Sequence, residues 1–150
     1  MSMSDILFPP LLKNTMEMEC LSHSCFKVLG FTFHIVVLFC FVSGTCLKTL
    51  VGHSSAVTAV QFNLDGTLVL SCSYDGKCCV WDVLSGCCLK SILSNETSLV
   101  QISHARLSPN GKYLLMSTLD SVIRLWDYKI GQGRVLKSYK GGIKLFHVFS

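Results

Sequence analysis

Three pairs of markers recur at one interval in this chain, and that interval narrows what the chain can fold into. Trp81-Asp82 and Trp126-Asp127 stand 45 residues apart, and each tryptophan follows an aspartate by six residues, Asp75 and Asp120. The turn glycines Gly66 (in Asn63-Leu64-Asp65-Gly66) and Gly111 (in Ser108-Pro109-Asn110-Gly111) keep the same offset of 45. Self-similarity at such a period marks one supersecondary unit repeated, each copy needing a neighbour to bury its hydrophobic face. The unit is β, because short apolar runs are punctuated by Gly, Asn and Asp turns and no helical stripe appears.

The pattern predicts strands over 56–62, 67–73, 78–83 and 88–92, then over 102–107, 113–118, 122–127 and 134–139. Four strands in each repeat of this length describe a propeller blade. The predicted fold is therefore all-β, a partial propeller with blades at about 51–92 and 93–139 and part of a preceding blade, the whole spanning 34–139. The preceding piece rests on Ser43–Lys48 being echoed 42 residues later by Ser85–Lys90, which places Phe39 where Trp81 stands. The run 34–41 (HIVVLFCF) has the β-branched and aromatic content of a buried strand. Residues 1–33 form a divergent N-terminal segment, and 140–150 lose the pattern as a C-terminal tail.

Composition removes several function classes. Half of the residues are hydrophobic and 15% charged, which excludes a disordered tail. The formal charge of +4 comes from scattered lysines (Lys48, Lys77, Lys90, Lys112, Lys137) near turns, a pattern of solvated blade edges and not of a nucleic-acid groove. The nine cysteines have no framework spacing. In the adjacent pairs Cys78-Cys79 and Cys87-Cys88, strand alternation predicts one inward residue each, with free thiols in a reducing compartment. Cys20, His23 and Cys25 resemble a fragment of a zinc site with no second ligand pair, so no metal is expected. The apolar run 28–42 is 15 residues long, short for a bilayer helix, and contains His34; Asp5, Glu17 and Glu19 before it make a poor signal n-region. A membrane-anchored or secreted β-domain using residues 28–46 is the competing reading. Asn95-Glu96-Thr97 is a glycosylation sequon that matters only on that reading, and Gly131-Gln132-Gly133 reads as a turn.

Gly52-His53 followed, after 27 residues, by Trp81-Asp82 resembles the full signature of the WD-repeat family. The resemblance implies a β-propeller whose blades share a hydrogen-bonded His, Ser/Thr, Asp and Trp, here His53, Ser73, Asp75 and Trp81. Ser73 is preferred to Ser71 because the 45-residue shift maps Ser73 onto Thr118 and Ser71 onto Met116. The second unit has Thr118, Asp120 and Trp126 but Ser98 in place of the histidine, with His104 inside a strand. Its network is expected to be incomplete and its blade the weaker. Ser, His and Asp together also suggest a hydrolase triad, but no Gly-x-Ser-x-Gly elbow and no oxyanion donor pair accompany them. No enzyme is expected.

Within the family, residues 44–139 are similar to the WD-repeat subunits of histone H3 methyltransferase complexes. The likeness rests on Cys46–Leu50, Phe62-Asn63 and Ser73–Gly76 in the first unit, and on Ser108–Tyr113 and Leu125–Tyr128 in the second. It implies a nuclear, non-catalytic scaffold without cofactor, metal, nucleic-acid or small-molecule ligand. Its partners would be proteins or peptides, among them the histone H3 tail and other subunits of the complex. By position, Thr58, Tyr74 and Ser103 would line an arginine pocket, and Asn110, Tyr113 and Leu125 a second peptide surface. The alternative is that Tyr74 and Tyr113 are simply turn-proximal aromatics.

Overall fold

The computed structural model describes residues 19–20, 26–30, 34–40, 46–95 and 97–141. Twelve strands follow one another: β1 (Glu19–Cys20), β2 (Phe26–Gly30), β3 (Ile35–Cys40), β4 (Cys46–Val51), β5 (Val57–Phe62), β6 (Leu68–Ser73), β7 (Lys77–Asp82), β8 (Cys88–Leu93), β9 (Ile102–Leu107), β10 (Tyr113–Thr118), β11 (Val122–Asp127) and β12 (Arg134–Lys140). They form three antiparallel sheets of four strands, each strand paired with its sequence neighbours. The turn chemistry explains the hairpins. Between β5 and β6 the Asn63 carboxamide oxygen accepts the Leu68 N–H at 2.9 Å and Asp65 Oδ1 accepts the Thr67 N–H at 3.0 Å. Gly66 between them has φ 72°, where a side chain would be strained.

From β5 onward each strand lies within about one residue of its predicted span. The first sheet differs. β2 pairs with β3 (Val28↔Leu38) and β1 with β2, so the boundary predicted between 33 and 34 falls inside a sheet. The apolar run 28–42 supplies parts of two strands. No described helix is long and apolar enough to cross a membrane.

The sheets stack, and the middle one is covered on both faces. One face presents Val57, Phe62, Val69, Cys79, Trp81 and Val83 to Val36, Leu38 and Leu50 of the first sheet. The other packs Leu70, Cys72, Cys78, Val80 and Ile92 against the third sheet, chiefly Ile102, Leu107, Leu114, Met116 and Trp126. Both junctions share one grammar: the tryptophan-bearing face of one sheet lies on the tryptophan-free face of the sheet before it. Each buried Leu, Ile, Val or Phe contributes about 1.5–3 kcal/mol relative to exposure.

Double coverage overturns the cysteine expectation. Cys78 and Cys79 are both buried because both faces of β7 are covered, whereas Cys87 and Cys88 are both exposed at the start of the outer strand β8. Cys72 and Cys78 are register partners across β6 and β7, with Cα atoms 4.2 Å apart, and are joined in a disulfide. Cysteine content therefore does not fix a reducing compartment. Burial, reinforced by Cys88 nearby, pushes the Cys79 thiol up to about 12, which leaves it inert.

Gly52 closes the first junction. A Cβ there would stand 2.8 Å from Cη2 of Trp81, inside contact distance. Gly52→Ala is expected to destabilise the chain by about 1–3 kcal/mol through overpacking, read as a lower urea midpoint with an unchanged slope.

Candidate functional site

The buried polar cluster of the middle sheet is built from the β6–β7 hairpin and the segment leading into β5. His53 Nδ1 lies 3.0 Å from Asp75 Oδ2, and His53 Nε2 lies 2.8 Å from Ser71 Oγ. The Trp81 indole N–H donates to the same Ser71 oxygen at 2.7 Å. A carboxylate only accepts, so in the neutral ring Nδ1 carries the proton and Nε2 accepts from the Ser71 hydroxyl. Asp75 also accepts the N–H groups of Ser54 (3.0 Å) and Lys77 (2.8 Å). Burial would raise its carboxyl, but the Ser54 N–H, His53 and the Lys77 N–H together hold it below the usual carboxylate value.

Ser71, and not Ser73, is therefore the hydroxyl of this network. Val69 is the register partner of Trp81, so Ser71 is its diagonal neighbour and within indole reach, whereas Ser73 lies one pleat repeat further along β6. Ser73 instead donates to Ser55 O at 2.9 Å and accepts the Asp75 N–H at 3.1 Å, which fixes the turn. The Ser71 hydroxyl is fully buried between the indole and the imidazole. That position gives it a structural use and no approach for a substrate.

The third sheet solves the same problem differently. Met116 occupies the position equivalent to Ser71, and among the described residues the buried Trp126 Nε1 has no hydrogen-bond partner. The second network is incomplete at Trp126, as expected, but Asp120 is not left alone, because Arg124 stands at the position equivalent to Cys79. Its guanidinium donates to Thr118 Oγ1 at 2.7 Å and to Asp120 Oδ2 at 3.1 Å, and Thr118 Oγ1 donates to Asp120 Oδ1. Burial raises the Asp120 carboxyl, while Thr118 and Arg124 lower it to a net value below the ordinary one. Asp120 thus has a charged partner that replaces the histidine.

The six surface positions fall into distinct places. Thr58 is buried, with its Oγ1 3.2 Å from Cys72 O and 3.0 Å from Ile102 O, bridging the second and third sheets. Ser103 follows Ile102 directly, and its hydroxyl meets Ser117 O and Ser117 Oγ at 3.1 and 2.9 Å. Tyr74, 41% exposed, lies in the turn after β6, and its N–H reaches Ala56 O at 3.1 Å. These three gather at one end of the inner strands β5 and β9. Tyr113 and Leu125 are half-buried diagonal neighbours on the outward face of the third sheet. Asn110 is apart from them: its Oδ1 accepts from Ser108 Oγ and the Lys112 N–H, and it lines a cleft of about 530 Å³ on the opposite side, between the second and third sheets. Among the described residues no cluster of His, Cys, Asp and Glu could hold a metal. Cys20 is described only in its backbone, and His23 and Cys25 lie outside the described residues.

Stacked four-stranded antiparallel sheets, two of them repeating one turn and tryptophan pattern, define a class: blades of a β-propeller, here in partial form. The WD domain, G-beta repeat family matches residues 44–82 and 86–127, more than half of the chain, and the chain belongs to that family. It is 36% identical over 92 residues to the COMPASS component SWD3 of Saccharomyces cerevisiae, covering 57% of this chain and 29% of that protein. Similar likeness extends to a ribosome biogenesis protein WDR12 homolog of Ixodes scapularis, 34% identical over 66% of this chain and 23% of that protein. The pre-mRNA-processing factor 19 homolog 2 of Arabidopsis thaliana is 36% identical over 61% of this chain and 17% of its own length. The matched span is thus under a third of each relative.

Removing the junction hydroxyl discriminates between the two serines. Ser71→Ala orphans both the buried indole N–H and His53 and is expected to lower stability by about 2–3 kcal/mol, Ser73→Ala by about 1 kcal/mol. Urea melts of the two variants check the order; a larger loss for Ser73→Ala would contradict the assignment.

Proposed function

We propose that this WD-repeat chain is a non-catalytic nuclear scaffold within a histone H3 methyltransferase complex, where it contacts peptides of its partners. WD repeats make a protein-interaction scaffold the general expectation, and the likeness to the COMPASS component SWD3 is the observation that carries the specific reading. The polar groups most suggestive of chemistry, His53, Ser71 and Asp75, are engaged within the blade, so interaction falls to the surface residues. Tyr74, with Thr58 and Ser103 beside it, is the candidate arginine contact. Tyr113 and Leu125 form the apolar part of the second surface, which Asn110, in the cleft on the other side, does not share. The competing membrane-anchor reading gains no helix from the described residues of 28–46, which contribute to strands β2, β3 and β4.

The test is affinity purification of the tagged full-length chain from nuclei, followed by a histone H3 methyl-transfer assay on the bound material. Activity should co-purify and fall roughly tenfold, equivalent to about 1.4 kcal/mol of lost binding, when Tyr113 and Leu125 are both replaced by Ala. A chain recovered in carbonate-resistant membranes, or one that brings down no such activity, would overturn the proposal.

A further inference from the structure

The exposed tip of the β9–β10 hairpin carries Asn110-Gly111, the one Asn-Gly pair in the sequence. The Asn110 side-chain carbonyl accepts the Ser108 hydroxyl at 2.6 Å and the Lys112 N–H at 3.0 Å. The second of these bonds folds the carboxamide back over the peptide bond joining Asn110 to Gly111, as an Asx turn does. Both donors draw electron density from the side-chain carbonyl carbon and open it to attack. The nitrogen nearest that carbon belongs to a glycine, so no side chain shields it, and a Cβ there would meet nothing within 4 Å. Asn63 and Asn95 are followed instead by Leu64 and Glu96, whose side chains crowd the corresponding nitrogens.

The preceding repeat shows that a carboxylate fits this turn. The 45-residue shift places Asp65 where Asn110 stands and Gly66 where Gly111 stands. Asp65 Oδ1 accepts the N–H of Thr67, two residues on, at 3.0 Å, just as Asn110 Oδ1 accepts that of Lys112. A hydroxyl completes each set, Thr67 Oγ1 on Asp65 and Ser108 Oγ on Asn110, both at 2.6 Å. The two glycines have φ 72° and 65°, and their N–H groups donate to Asn63 O and Ser108 O. The Thr67 hydroxyl and N–H hold the Asp65 carboxyl below its ordinary value. An acid at position 110 would keep both bonds that the Asn110 carbonyl oxygen now accepts.

We propose that Asn110 deamidates spontaneously through a cyclic imide with Gly111, adding a carboxylate to the cleft between the second and third sheets. The Gly111 nitrogen gives its proton to solvent and bonds to Cγ of Asn110; the bond from Cγ to the side-chain nitrogen breaks, and that nitrogen leaves as ammonia. Water then opens the imide. Cleavage between Cγ and the Gly111 nitrogen returns an ordinary backbone with aspartate at 110, whereas cleavage at the main-chain carbonyl leaves an isoaspartyl link with an extra backbone methylene. The net change is carboxamide and water to carboxylate and ammonium. The Gly111 N–H donates to Ser108 O at 2.8 Å, so the ring closes when the hairpin tip opens, and exposed tips open at low cost. The aspartyl product joins Asp65, Lys90 and Lys129 on the walls of the 530 Å³ cleft, setting two carboxylates against two ammonium groups where one stood before. The isoaspartyl product lengthens the loop closed by the 2.9 Å bond from Ser108 N–H to Tyr113 O and works against that hairpin. This inference goes beyond the scaffold reading and does not depend on which partner that scaffold holds.

Prolonged incubation of the full 150-residue chain at mildly alkaline pH, followed by peptide mapping that separates aspartyl from isoaspartyl products, tests it. Conversion at Asn110 should run roughly tenfold faster than at Asn63 or Asn95, a barrier lower by about 1.4 kcal/mol, and should yield both products. An Asn110→Asp variant should keep the wild-type urea midpoint, because Asp65 already occupies the equivalent turn. Conversion at Asn110 no faster than at Asn63 or Asn95 would overturn the proposal. So would an Asn110→Asp chain with a clearly lower midpoint, since the turn would then not hold the acid it is said to gain.

Discussion

A twisted sheet has two faces, and in this chain the pairing of unlike faces governs the rest of the structure. The tryptophan-bearing face of the middle sheet covers Val36, Leu38 and Leu50, while its tryptophan-free face is covered in turn by Leu114 and Trp126. The central strands β6 and β7 of that sheet can therefore be buried on both sides, as the burial along Leu68–Ser73 and Lys77–Asp82 shows. The polar cluster depends on the same arrangement. Ser71 can stay buried only because the Trp81 indole and His53 satisfy its hydroxyl, and Trp81 reaches it only because Gly52 leaves the indole room.

Turn chemistry and strand alternation made the two repeat units legible in the sequence, since Asp-Gly and Asn-Gly punctuation sets hairpin lengths locally. What escaped that reading required knowledge of register or of neighbouring sheets. The 45-residue shift favours Ser73, which maps onto a hydroxyl in the second unit, but that comparison presumes both units solve the same problem. Counting outward from the β6–β7 turn pairs Cys72 with Cys78 and sets Ser71 diagonal to Trp81, so the signal was present in the hairpin itself. Arg124 was invisible because no local rule says that a guanidinium can replace a histidine at Asp120. The burial of both Cys78 and Cys79 follows from a sheet sandwiched on two sides, which alternation within one strand does not encode. The first sheet escaped upstream of residue 34 because β1 and β2 carry none of the repeat markers.

Of the six candidate contact residues, the structure gathers Thr58, Tyr74 and Ser103 at one end of the inner strands and sets Tyr113 with Leu125 on one outward face. Asn110 belongs to the cleft on the other side. Resemblance could map positions but not faces, because the face a strand residue presents depends on the register that its partner strands impose. The polar constellation with the most enzyme-like composition is the part of the chain most committed to holding the fold together.

Native-state hydrogen exchange, resolved strand by strand, tests the unlike-face stacking most directly. Protection should be greatest in β6 and β7, whose sheet is covered on both faces, and weaker in β10 and β11, which have one face covered by described residues. Greater protection in β10 and β11 than in β6 and β7, or equal protection in a sample shown to be monomeric, would contradict the account.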